Sequence, residues 1–168
     1  MNVTAVFASP HRDGHTAALL RDFLHSLPQD AHVDMFDCYA LAPKPCTDCG
    51  FCKTAGRCVS GELDALFQAC ERSDVLIVAS PVYNYSVPAP LKAILDRAQP
   101  YYYKNFRGVD APTDPRRKGY LLLTAGRSGK FAFEMIKKQI GIFFKVLGVT
   151  YTDEIFVPHT DETKETLT

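Results

Sequence analysis

Short apolar runs rich in β-branched residues alternate along this chain with segments whose apolar residues recur every three to four positions. That alternation is the strongest constraint on the fold. Residues 3–8, 33–38, 75–80, 120–125 and 150–157 read as strands. Residues 16–27 carry Leu19, Leu20, Phe23, Leu24 and Leu27 at helical spacing, and 63–70, 90–98 and 131–147 follow the same rule. The third and fourth strand runs are almost continuously apolar, as in strands covered on both faces. Strands alternating with helices imply a parallel sheet with right-handed crossovers. Five strands arranged this way predict an α/β fold, a doubly wound, flavodoxin-like sheet in the order 2-1-3-4-5.

That architecture places a ligand at the carboxyl ends of the strands, beside the switch point between the first and third. Three loops should then converge: residues 9–16, 81–88 and 124–130. A final helix after the fifth strand is expected to be short or absent, since only the polar stretch 161–168 follows. At 168 residues the chain fits one domain, 1–168, carrying a cysteine-rich loop at 43–60 and a long loop at 99–118. The long loop, with Tyr101, Tyr102 and Tyr103, reads as a lid or an oligomer contact.

Composition narrows the partners. Nineteen basic and nineteen acidic residues cancel, so there is no basic footprint for nucleic acid. No apolar run has the length of a membrane span, and the N-terminus lacks the pattern of a secretion signal. The expectation is a cytoplasmic domain that grips any anion locally. Of six cysteines, Cys46, Cys49, Cys52 and Cys58 fall in one short stretch, while Cys38 and Cys70 read as core residues. In a chain without an export signal, such spacing suggests metal, cluster or redox chemistry before a disulfide framework.

Four motifs carry chemistry. The loop after the first strand holds Ser9, His11, Arg12, His15 and Thr16, a set of hydroxyls and basic groups at a helix start that suits a phosphate monoester. An ordinary hydroxyl N-cap with a turn before it would read the same way. After the third strand, Pro81, Val82, Tyr83, Asn84, Ser86 and Pro88 form a stiff loop whose amides and rings can address a flat heterocycle. After the fourth come Thr124, Gly126 and Arg127, where glycine lets the backbone approach a ligand. The cysteine loop has the spacing Cys-x2-Cys-x2-Cys-x5-Cys. It is compact enough to wrap a 4Fe–4S cluster from one loop; free thiols, a disulfide or structural zinc are the other outcomes.

The segment Pro81, Tyr83, Asn84, Ser86, Pro88, Leu91 and Lys92 resembles that of the flavodoxin-like NAD(P)H-dependent FMN reductases. The loop at Ser9 is similar to the phosphate loop of that family, with Ala8, His11 and His15 in place of Gly, Arg and Asn. The compact cysteine motif resembles the iron–sulfur flavoprotein branch. The resemblance implies FMN as cofactor, with its phosphate at Ser9, His11, Arg12, His15 and Thr16 and its ring bordered by Pro81, Val82, Tyr83, Asn84, Ser86, Thr124, Gly126 and Arg127. It implies a small-molecule electron donor, NADPH or NADH, and hydride transfer from nicotinamide to flavin with no dedicated side-chain acid or base. Electrons would pass on to a quinone, flavin, metal or iron–sulfur acceptor. Arg127 would stabilise negative charge at the edge of the reduced ring. The metal set would be Cys46, Cys49, Cys52 and Cys58, and a homodimer or homotetramer is expected. The other reading is a non-catalytic electron carrier or redox sensor acting with a protein redox partner. Receiver domains and low-molecular-weight phosphatases share the shape but require reactive groups that are missing after the first and third strands.

Overall fold

A computed structural model describes residues 1–105 and 113–162. Its strands are β1 (Asn2–Phe7), β2 (His32–Asp37), β3 (Val75–Pro81), β4 (Asp114–Thr124) and β5 (Val149–Val157). The helices are α1 (His15–His25), α2 (Cys38–Leu41), α3 (Phe51–Ala55), α4 (Asp64–Arg72), α5 (Ala89–Asp96), α6 (Gln99–Asn105) and α7 (Lys130–Val146). The five strands are parallel and lie in the order β2-β1-β3-β4-β5, as the alternation requires.

The period-two alternation of strand side chains splits the apolar residues between two faces. Val6, Leu76, Val78, Leu121 and Leu123 pack beneath α4, α5 and α7. Val3, Ala5, Ile77, Ala79 and Leu122 pack with Ala17 and Leu20 of α1. β3 is buried over its first six residues, which explains its unbroken apolar sequence. Cys38 and Cys70 are buried among these groups, and burial pushes both thiols up to about 12.

The ladder runs on past the strand ends. Ala8 N–H donates to Ala79 O, Val82 N–H to Thr124 O, and Ala125 N–H to Val157 O, at 2.8, 2.8 and 2.9 Å. These bonds fix where the loops after β1, β3 and β4 leave the sheet.

The stretch 99–118, expected as one loop, differs. α6 occupies Gln99–Asn105 and β4 begins at Asp114, while 106–112 lie outside the described residues. Tyr101 packs its ring 5.2 Å from Phe67 of α4, and Lys53 of α3 sits 5.7 Å over the ring of Tyr103. These tyrosines dock α6 onto the cysteine loop and α4. The expectation about a final helix falls largely on 163–168, also outside the described residues; Pro158 to Glu162 make a turn back over the loop after β4. Among the described residues no helix is long and apolar enough to cross a membrane.

Candidate functional site

The loop after β1 delivers its groups to the carboxyl edge of the sheet. Ser9 is buried, and its Oγ accepts from the His11 backbone N–H at 3.2 Å. Gly14, in extended conformation, occupies the N-cap of α1, and no side chain caps the helix. The ordinary hydroxyl cap is therefore not what the serine and threonine of this loop provide. The start of α1 instead offers amides to an anion, with the exposed His11 and His15 beside it. Thr16 turns inward, and its Oγ1 lies 2.7 Å from Thr124 Oγ1 in a buried contact joining the first and third loops.

Arg12 takes a different course. Its Nε and Nη2 reach Asp37 Oδ2 at the end of β2, at 3.0 and 2.8 Å, so its charge is partnered there. Asp37 also caps α2 by accepting from the backbone N–H groups of Tyr39 and Ala40.

The loop after β3 is a two-residue hairpin. Tyr83 and Ser86 exchange backbone hydrogen bonds at 2.8 and 2.9 Å, and the residues between them, Asn84 and Tyr85, have φ of 50° and 61°. Positive φ at both positions is a type I′ turn. Asparagine tolerates that conformation, whereas tyrosine is held in it against its preference. The turn leaves Tyr83 and Tyr85 exposed, and Tyr85 meets Phe131 edge to face with centroids 6.2 Å apart. Pro81 and Val82 are half-buried beneath.

The loop after β4 is held from behind by the residues following β5. Thr160 N–H donates to Ala125 O, Asp161 N–H to Gly126 O, and His159 N–H to Arg127 O. Gly126 lies so close to the Asp161 carboxylate that a β-carbon there would clash with it. Arg127 is exposed. The three loops thus meet as expected, and Tyr85, Phe131 and Asp161 join them without having been singled out in the sequence.

The cysteine loop forms a separate site. Cys46, Cys49, Cys52 and Cys58 line one cavity of about 120 Å³, together with Arg97 and the backbone around Lys44. Gly50 and Gly56 bracket α3 with φ of 75° and 66°, turning the chain tightly on either side of Cys52. Burial raises the Cys52 thiol, and the nearby thiols of Cys46, Cys58 and Cys49 add to this. Among the described residues, no three His, Cys, Asp or Glu side chains are drawn together closely enough to hold a metal ion as they stand. Arg97, buried at the end of α5, donates from Nε to Cys58 Sγ at 3.0 Å and pairs through Nη1 with Glu62 Oε1 at 2.6 Å. That guanidinium holds the Glu62 carboxyl at about 2.

Residues 1–159 match the sequence model of a family described as NADPH-dependent FMN reductase. An iron–sulfur flavoprotein of Methanocaldococcus jannaschii is 33% identical over 104 residues, covering 60% of this chain and 53% of that protein. One from Archaeoglobus fulgidus is 32% identical over 106 residues, covering 62% of this chain and 48% of its own. The chain spans about half the length of these curated relatives. Among solved structures, an NAD(P)H:quinone oxidoreductase from Methanothermobacter marburgensis shares the fold with a TM-score of 0.69, covering 93% of this chain and 81% of that one at 20% identity.

Proposed function

Because the chain belongs to the NADPH-dependent FMN reductase family, we propose that it is an FMN-dependent oxidoreductase drawing electrons from NADPH or NADH. The observation that carries this reading is the junction of the three loops at the sheet's carboxyl edge, tied by the Thr16–Thr124 hydroxyl contact. The donor set fits FMN. The amides at the start of α1, with Ser9, His11, His15 and Thr16, suit the phosphate, and Arg12 adds positive charge at the rim while paired to Asp37. Pro81, Val82, Tyr83, Asn84 and Ser86 would border one side of the ring, and Thr124, Gly126 and Arg127 the other. FMN supplies the hydride chemistry when bound.

The chain's own residues bind and orient. The type I′ turn fixes the backbone of Tyr83 and Asn84, and the bonds from His159, Thr160 and Asp161 hold the Gly126 loop in place. Arg127 would offset negative charge at the ring edge. Electrons would leave for a quinone, flavin, metal or iron–sulfur acceptor. The four thiols of the cysteine cavity have the donor chemistry of a 4Fe–4S site. Phe131, Met135 and Ile142 expose an apolar stripe along α7, which supports assembly as a homodimer or homotetramer.

The test is anaerobic turnover of purified protein supplied with FMN, excess NADH or NADPH, and a quinone. Bleaching of the flavin followed by sustained nicotinamide oxidation is expected. Absence of nicotinamide oxidation overturns the enzyme reading and leaves the electron carrier. Tyr83→Ala and Asn84→Ala should each weaken FMN binding; native affinity in both would remove them from the ring site.

A further inference from the structure

Arg97 is the most deeply committed charged side chain described, at 4% exposure, yet it belongs to none of the three loops around the flavin site. It stands immediately after α5, whose eight residues span about 12 Å from the loop after β3. All three of its side-chain nitrogens are used. Nε donates to Cys58 Sγ at 3.0 Å, Nη1 to Lys44 O at 3.1 Å and to Glu62 Oε1 at 2.6 Å, and Nη2 to Ser60 O at 2.6 Å. Two of these acceptors flank the cysteine motif: Lys44 lies two residues before Cys46, and Ser60 two residues after Cys58. One guanidinium therefore joins both ends of the loop and one of its four sulfurs.

A buried guanidinium is costly unless its donors are met, so such an arrangement persists only where the groups around it are held in return. Glu62 pairs with the same guanidinium, and Arg97 reaches Cys58 both through its charge and through a directed hydrogen bond. Hydrogen bonds to cysteine sulfur favour the more negative, reduced state of a thiolate-bound iron–sulfur group. Groups that orient ligands without binding metal typically change affinity by about 10- to 100-fold. We propose that Arg97 is the positioning residue of the cysteine pocket, closing the loop at Lys44 and Ser60 and holding Cys58 Sγ through a hydrogen bond that raises the reduction potential of a bound cluster. This rests on the cluster reading above. Lysine cannot replace it, because one ammonium cannot reproduce the planar fork that meets Cys58, Lys44, Glu62 and Ser60 together.

The experiment compares the full chain with Arg97→Lys, Arg97→Gln and Glu62→Gln after anaerobic reconstitution with ferrous iron and sulfide. Iron and sulfide per chain, the rate of iron release to a chelator, and the midpoint potential of the visible cluster absorption are measured. FMN affinity serves as the check on folding, since Arg97 lies outside the flavin loops. Both Arg97 variants should bind FMN within about twofold of the parent and release iron about 10- to 100-fold faster. The cluster retained by Arg97→Lys should titrate at a more negative potential, whereas Glu62→Gln, which keeps the Nε donor, should not shift that way. If the parent loads iron and sulfide and both Arg97 variants match it in release rate and potential, the role of Arg97 is overturned and the cluster reading stands. If Arg97→Gln does not fold, Arg97→Lys decides by the same two measurements. A parent chain that takes up neither iron nor sulfide overturns the cluster reading and this role with it.

Discussion

Thr16 Oγ1 and Thr124 Oγ1 share a 2.7 Å hydrogen bond between side chains that are each 3% exposed, linking the first turn of α1 to the end of β4. Replacing either by valine leaves the other hydroxyl buried without this partner, at a cost of about 1–3 kcal/mol. Thr16→Val and Thr124→Val should each lower stability in denaturant unfolding. The double variant should be less destabilised than the sum of the two, because neither orphaned hydroxyl remains. Strict additivity would mean that the contact does not couple the loops. FMN affinity should fall further in Thr16→Val, since that hydroxyl stands at the helix start assigned to the phosphate.

The middle of the sheet was legible in the sequence because β1, β3 and the second half of β4 are buried on both faces. The apolar run expected over 75–80 is β3, Val75–Pro81, and the helical stripe expected over 131–147 is α7, Lys130–Val146. The early part of β4 was hidden by charge. Arg116, Arg117 and Lys118 break the apolar pattern, yet Arg117 donates to the carbonyls of Ser73, Cys70 and Leu147 where the strand extends beyond its apolar core. α6 was hidden by Pro100, which is tolerated because it lies in the first turn. The three loops could be found because each follows a strand. Arg97 and Asp161 could not be assigned, because their partners Cys58 and Gly126 lie 39 and 35 residues away in the chain and only the crossovers bring them together.

Tyr85 carries a testable strain. Its φ of 61° lies in the left-handed region, which costs a residue with a β-carbon about 1 kcal/mol or more. At most positions glycine is less stable than alanine by about 0.5–1 kcal/mol. Here the order should reverse, with Tyr85→Gly more stable than Tyr85→Ala in urea unfolding. Equal stability, or alanine the more stable, would show that the turn relaxes out of the type I′ conformation. The aromatic contact with Phe131 disappears in both variants, so the comparison isolates the backbone.

Gly126 and Asp161 make a paired prediction. A methyl group at 126 meets the carboxylate of the exposed Asp161, so that side chain has to swing aside while its amide stays tied to Gly126 O at 3.2 Å. The cost should stay below the roughly 1–3 kcal/mol of overpacking a rigid core, because the carboxylate can turn toward solvent. Gly126→Ala should lower the melting temperature and weaken FMN binding. Adding Asp161→Ala should restore most of both, because it removes the obstructing carboxylate. Failure of the second change to restore stability would place the cost of the first in the loop backbone itself.

The ion pair at the base of the cysteine pocket sets an acid limit on stability. The Arg97 hydrogen bond pulls the Glu62 carboxyl from its ordinary 4.5 to about 2, and backbone N–H groups of Glu62 and Lys44 assist. A carboxylate with a depressed value stabilises the fold fully above about pH 4.5, and that contribution is lost as pH falls through about 2. Asp114, held at about 2 chiefly by its hydrogen bonds with Arg116, contributes fully above its ordinary 3.8 and loses that contribution as pH falls through about 2. The melting temperature of the protein should therefore fall between pH 4.5 and 2, and Glu62→Gln should flatten part of that slope. Only part should go, because the Asp114 share remains. A variant with the parent's slope throughout would show that the Glu62–Arg97 pair gives the folded state no advantage over the unfolded chain, despite the 2.6 Å contact.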